Sequence, residues 1–226
     1  MKRWLLLVLA ATACTETEPT NYDVLPPPPP DGWAQLRLLH VMADTPALDV
    51  YLRETRDPVL SSLGHGFAQG FIEVAARSYT VDLRLAAASP NSEVMSSFEI
   101  TLASRERVTV VLAGTAEALM PVRFADDLAR VALGALRLVN ATSSGPVSFD
   151  LGADGSDELA QLEVGGVGRA TSPDLSAVAL SVAADSGAQV YQVPARPSEG
   201  DVVIVAADAA TLMLTYSFSV TELAPP

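Results

Sequence analysis

Apolar and polar residues alternate with a period of two from the first folded stretch onward. Leu36, Leu38 and His40 alternate with Arg37, Leu39 and Val41; Asp44-Thr45-Pro46 then interrupts, and Leu48, Val50 and Leu52 alternate with Asp49, Tyr51 and Arg53. That pattern predicts a pair of strands joined by a turn. Further strands are predicted at Val59 to Leu63, Phe71 to Val74, Tyr79 to Ala86, Phe98 to Leu102 and Val108 to Ala113. Around Tyr79 the apolar set Tyr79, Val81, Leu83 and Leu85 opposes Thr80, Asp82 and Arg84, as in an antiparallel strand with one buried face. The same rule predicts strands at Val147 to Leu151, Leu159 to Val164, Leu175 to Val182, Gln189 to Val193, Val202 to Ala207 and Thr211 to Val220. The last carries five successive alternations. The Gly165 to Gly168 cluster has no dinucleotide fingerprint and reads as a loop.

The opening stretch recurs. LRLLHVMADTPALDVYL, Leu36 to Leu52, is echoed by LRLVNATSSGPVSFDL, Leu136 to Leu151, without a gap through Pro46 and Pro146. In that alignment Asn140 stands where His40 does, Ser144 where Asp44 does, and Phe149 where Asp49 does. Short strands separated by Gly, Pro, Ser and Asn clusters, repeated once, predict an all-β protein of two tandem immunoglobulin-like antiparallel β-sandwich domains. The expected boundaries are 33–128 for the first copy and 129–226 for the second. Asp126, Asp127 and Arg130 lie in a junction too short for the two to move apart widely.

The amino terminus changes the picture. Lys2 and Arg3 precede an apolar run from Trp4 to Ala11, and small residues lead to Cys14. This resembles a bacterial lipoprotein signal, 1–13. The resemblance implies cleavage before Cys14 and lipidation there, by a thioether on sulfur and an acyl chain such as palmitate on the amine. Ala11 departs from the leucine usual three positions before the cysteine, and the same small residues suit ordinary secretory cleavage. Residues 14–32, with five consecutive prolines from Pro26 to Pro30, read as a disordered proline-rich tether. Its polyproline II segment extends about 3.1 Å per residue and serves as a spacer. The expected location is the cell envelope, at the outer membrane of a host that has one or otherwise at the cell surface.

Cysteine and charge exclude several classes. Cys14 is the one cysteine, so there is no intrachain disulfide and no cysteine-based zinc site. Twenty-seven acidic residues against fourteen basic give a net charge of −13, which disfavours nucleic acid as a partner. Lys2 is the one lysine, so a mature chain holds no Schiff-base lysine and no P-loop. No Gly-x-Ser-x-Gly elbow occurs.

The first copy, with its GHGFAQGFIEV, SYTVDLRL and RVTVVLAG stretches, resembles the DUF4397 domain of unknown function. That family opens roughly as VRVVHASPDAPAVDVYVDG. His40, Asp44, Pro46, Asp49, Val50 and Tyr51 occupy its positions, whereas Val41-Met42-Ala43 replaces Ala-Ser-Pro. The resemblance implies a secreted, often tandem β domain and no established activity.

His40, Asp44 and Asp49 are the candidate binding residues. For His40 the competing reading is a strand-end side chain hydrogen-bonding the following turn. His65 is expected in a solvated loop. Asp150 to Glu158 partly matches a calcium loop but lacks a ligand side chain at Gly152 and has Gln161 at the bidentate position, so an acidic hairpin is favoured. The expected function is that of a non-enzymatic, lipid-anchored envelope protein without a cofactor, binding an envelope protein or glycan or serving a structural role. A calcium-supported adhesin and a hydrolase built around His40 are the alternatives.

Overall fold

The computed structural model describes residues 28–87, 92–125, 135–153, 155, 159–171, 178–184, 187–193, 202–208, 211–214 and 220–222. The expected signal segment, Cys14 and most of the expected tether lie outside them. Every element among the described residues is a strand or a turn.

The first half contains β1 (Trp33–His40), β2 (Leu48–Leu52), β3 (Leu60–Leu63), β4 (Ile72–Ala75), β5 (Ser78–Leu85), β6 (Ser96–Thr101), β7 (Arg107–Gly114) and β8 (Leu119–Ala125). They form two four-stranded sheets, ordered β4-β1-β7-β8 and β3-β2-β5-β6. The second half contains β9 (Ala135–Ala141), β10 (Val147–Leu151), β11 (Leu159–Leu162), β12 (Val167–Thr171), β13 (Val178–Ala184), β14 (Gly187–Val193), β15 (Val202–Ala207), β16 (Thr211–Leu214) and β17 (Val220–Glu222). Its sheets run β12-β9-β15-β16-β17 and β11-β10-β13-β14, the same order with one strand added. Pairing is antiparallel except for β1 with β7 and β9 with β15, which are parallel.

Three expectations need correction. The two strands of the opening stretch do not pair with each other: β1 and β2 lie in opposite sheets, and residues 41–47 carry the chain across. Alternation specifies strands but not their partners, so a corner and a hairpin look alike in sequence. The stretch from Thr211 to Val220 is not one strand, because β16 and β17 pair antiparallel with Leu214 opposite Val220. Its alternation runs on with no Gly or Pro to mark the reversal. The Gly165 to Gly168 cluster is not all loop, since β12 begins at Val167, runs to Thr171 and pairs with β9. Here an edge strand with Gly168 and Arg169 lacks the apolar spacing that would identify it.

Each pair of sheets encloses a core. In the first, Leu36, Leu38, Leu48, Val50, Val81, Leu83, Val110 and Leu112 are buried together. In the second, Leu136, Leu138, Val147, Phe149 and Ile204 do the same. A third cluster joins the halves: Leu39, Val41, Val111, Ala113, Val122 and Phe124 pack with Val139, Ala141, Val203 and Val205. The sheets containing β1 and β9 are therefore covered on both faces, giving four layers. This explains why β7, RVTVVLAG, is buried at every position and reads as a nearly continuous apolar run. In the outer sheet, β5 keeps more of its alternation.

Residues 29–32 are held against the first sandwich. Pro29 is buried, Gly32 N–H donates to Ser104 Oγ at 2.8 Å, and Arg105 meets Asp31 at 3.5 Å.

Leu39 is fully buried in the cluster that joins the halves. Leu39→Ala is expected to cost about 2–5 kcal/mol and to split a single calorimetric unfolding transition into two. A single transition shifted downward without splitting would show that the halves do not depend on this contact for cooperativity.

Candidate functional site

Alternation along β1 turns Leu36, Leu38 and His40 toward the first core, so His40 reaches the end of the strand fully buried. The chain then leaves the sheet. Its ring satisfies two backbone groups of the corner: Nδ1 accepts the Met42 N–H at 3.2 Å, and Nε2 lies 3.2 Å from the Pro46 carbonyl oxygen. An amide N–H can only donate, so Nδ1 carries no proton, and Nε2 holds the hydrogen given to Pro46. Burial lowers the His40 pKa below its ordinary value; the Pro46 carbonyl opposes that shift and His65 adds to it. His65 is exposed, with its ring edge-on to His40 at a centroid distance of 5.6 Å.

The second half solves the same problem with an amide. Asn140 Oδ1 accepts the Thr142 N–H at 3.0 Å, and Nδ2 donates to the Gly145 and Leu162 carbonyls at 2.9 and 2.8 Å. Oδ1 and Nδ2 reproduce the acceptor and donor of a neutral imidazole. His40 is therefore a corner lock, and its partners are Met42 and Pro46 rather than the Asp44 carboxylate.

Asp49 also holds backbone. Its Oδ1 accepts the Ser62 N–H at 2.8 Å, where β2 and β3 slip register at a bulge and Ser62 takes φ 54°. The matching bulge between β10 and β11 has Gln161 at φ 53°, its N–H donating to Ser148 Oγ at 3.2 Å. Ser148, not Phe149, thus occupies the place of Asp49. The second copy has one residue fewer between its proline and the following strand, and an alignment without gaps slips there. Asp44 is exposed with φ 52°, a turn residue in the left-handed region that Asp tolerates.

His40 and Asp49 serve the corner and the adjoining bulge through local hydrogen bonds, and Asp44 is a turn residue of the corner. Asp150 Oδ2 accepts the Gly155 N–H at 2.8 Å, a turn contact between β10 and β11; Asp154 and residues 156–158 lie outside the described residues. Among the described residues, no three His, Cys, Asp or Glu side chains converge on a metal position.

The buried arginines escaped the sequence reading. Arg37 Nε donates to Thr109 Oγ1 at 2.9 Å, and its guanidinium lies over Phe71. Arg137 donates to the Ala125 carbonyl at 2.6 Å and lies over Phe124. Both face away from their own sandwich core. The signal was present in the repeated Leu-Arg-Leu, where an arginine stands between apolar neighbours at 37 and again at 137.

His40→Asn is expected to keep the corner and His40→Ala to lose about 1–3 kcal/mol. In the unfolded chain His40 titrates at about 6.5, above its folded value. As pH falls below about 6.5 the unfolded state therefore takes up the proton first. The contribution is complete above that pH and is lost as pH falls toward the folded value. Melting temperatures across this window should decline for the wild type more than for His40→Asn. Equal destabilisation of the Asn and Ala variants at pH 8 would remove the corner-lock account.

The model of the domain of unknown function DUF4397 matches residues 34–150, over half of the chain. No curated protein matches. One similar solved structure is that of CBMbc (family CBM26) from Eubacterium rectale Amy13K in complex with maltoheptaose, at 10% identity. That match covers 85% of this chain and 98% of the other with a TM-score of 0.26, and at that level nothing about CBMbc transfers to this protein. The family match instead spans the whole first sandwich and reaches the corner and following strand of the second, and the chain belongs to the DUF4397 family.

Proposed function

We propose that the protein is a non-enzymatic, lipid-anchored module of the cell envelope. In this reading Cys14 carries the lipid and residues 14–32 form the tether. Two DUF4397 copies, the second degenerate, form a rigid body that binds an envelope protein or glycan or acts as a structural element. The observation that carries it is the engagement of His40 and Asp49 with corner and bulge backbone, which makes the polar residues of the family pattern parts of the scaffold. The third apolar cluster supports a body that moves as one. The net charge of −13 disfavours nucleic acid and anionic lipid as partners for that body.

The test is expression of the full chain in a bacterium with lipoprotein-processing enzymes, with an alkyne-tagged palmitate supplied. The wild type should carry the tag and sediment with membranes. Cys14→Ser should lose the tag and leave the membrane fraction. An untagged, soluble wild type with a processed amino terminus would replace anchoring with ordinary secretion.

A further inference from the structure

The four sheets present eight edge strands among the described residues, and an unguarded edge offers its backbone N–H and C=O groups to any other strand. Seven of the eight carry a guard. On the inner sheets β4 has Glu73, β8 has Pro121 and Arg123, β12 has Arg169, and β17 is three residues long and contains Glu222. On the outer sheets β3 and β11 are four residues long and irregular at Ser62 and Gln161, and β6 has the exposed Glu99. The eighth is β14. Gly187–Val193, GAQVYQV, contains no charge and no proline, and it pairs with β13 in unbroken register along its whole length.

Register shows what β14 has exchanged. Val50 and Phe149 are counterparts in β2 and β10, facing Leu60 and Leu159, and they face Leu83 and Val182 on their other side. Leu83 in turn faces Ser96, and Val182 faces Gln189. Counting on from these, Ser97 of β6 corresponds to Val190 of β14 and Glu99 to Gln192. An uncharged amide of nearly the same size thus stands where the first half has its guarding carboxylate. Tyr191 is buried in the second core, so alternation turns Ala188, Val190 and Gln192 to the outer face. Ala188 and Gln192 are exposed there and Val190 is half-buried.

Charge selects the occupant. With −13 on each chain, two copies repel, and close approach is least opposed where the facing surfaces carry no charge. Laid antiparallel on itself about Val190, β14 sets Val190 against its own equivalent, Ala188 against Gln192 and Gln189 against Tyr191. No charged residue of either strand faces another across that seam. The contact is the same patch on both copies, so it closes as a dimer.

We propose that β14 pairs with β14 of a second copy of this chain, antiparallel and centred on Val190, joining two outer sheets of four strands into one continuous sheet. This goes beyond the binding or structural role given above and does not depend on the lipid anchor.

The parent for the test is the full chain with Cys14→Ser, so that no lipid drives association and no native thiol is present. Sedimentation velocity in mild detergent over a concentration series should show a reversible dimer, weak because seven residues a side make a small interface. Val190→Lys places like charges opposite each other at the centre of the seam, and Gln192→Glu restores the first-half guard. Both should weaken the dimer, Val190→Lys by about tenfold or more, whereas Ser97→Lys at the matching place on β6 should leave it unchanged. The melting temperature of Val190→Lys, at concentrations where the parent is monomeric, should equal that of the parent, which separates loss of pairing from misfolding. Register is read independently by oxidation of single-cysteine variants of the parent: Val190→Cys should form an interchain disulfide, and Ala188→Cys, whose neighbour across the seam is Gln192, should not. A parent that stays monomeric at the highest concentration reached overturns the proposal and leaves β14 open to a strand of another protein. Association undiminished by Val190→Lys, diminished equally by Ser97→Lys, or cross-linked through position 188 rather than 190 overturns it as well.

Discussion

The corner between β1 and β2 is the constraint on which each sandwich depends. The chain must leave one sheet and enter the one facing it, and at that point the Met42 N–H and the Pro46 carbonyl have no ladder to join. A buried polar group left unsatisfied costs about 1–3 kcal/mol, a large share of the 5–15 kcal/mol that separates folded from unfolded domains. One side chain that accepts at one atom and donates at another removes both penalties. Neutral histidine meets the requirement in the first half, and asparagine meets it in the second. A protonated histidine does not, because it has two donors and no acceptor, so the need for a neutral ring follows from the geometry of the corner.

Once the corner is set, the direction of the side chains follows. Leu36 and Leu38 turn inward with His40, which leaves Arg37, Leu39 and Val41 on the other face. That second face would expose a large apolar patch on an isolated sandwich. Here it packs on the equivalent face of the other half, and β1, β7, β9 and β15 are buried between layers. The arginines at 37 and 137 are accommodated there with Phe71 and Phe124 beneath their guanidinium groups and with Thr109 Oγ1 and the Ala125 carbonyl each accepting one hydrogen. With both inner sheets covered, the surfaces open to a partner are the outer sheets and the loop ends.

The parts of this arrangement legible in sequence are those governed by local periodicity. The alternation of Tyr79 to Leu85 identified a strand, and the recurrence of Leu-Arg-Leu with its proline identified two equivalent openings. What period two does not contain is the identity of the neighbouring strand, so the β1–β2 corner resembled a hairpin and the β16–β17 reversal passed unseen. The contacts of the candidate residues were illegible for a related reason. His40, Asp44 and Asp49 stood out as polar residues in an apolar pattern, but the backbone groups that His40 serves at Met42 and Pro46 and Asp49 at Ser62 have no signature in the side-chain sequence. The one-residue difference after Pro146 had to be located by register, with Ser148 and Gln161 repeating the contact of Asp49 and Ser62.

The two halves also show which constraints divergence respects. Substitution of His40 by Asn140 preserves both corner bonds, replacement of Asp49 by Ser148 preserves the bulge, and the apolar set of the central interface is retained on both sides. Side-chain size at the sandwich end is redistributed instead: Leu83 and Leu112 have the smaller Val182 and Ala206 as counterparts, and Val50 has the larger Phe149. Thr142 and Ala206 sit directly beside the preserved lock, Thr142 giving its N–H to Asn140 and Ala206 pairing with Asn140 across the sheet.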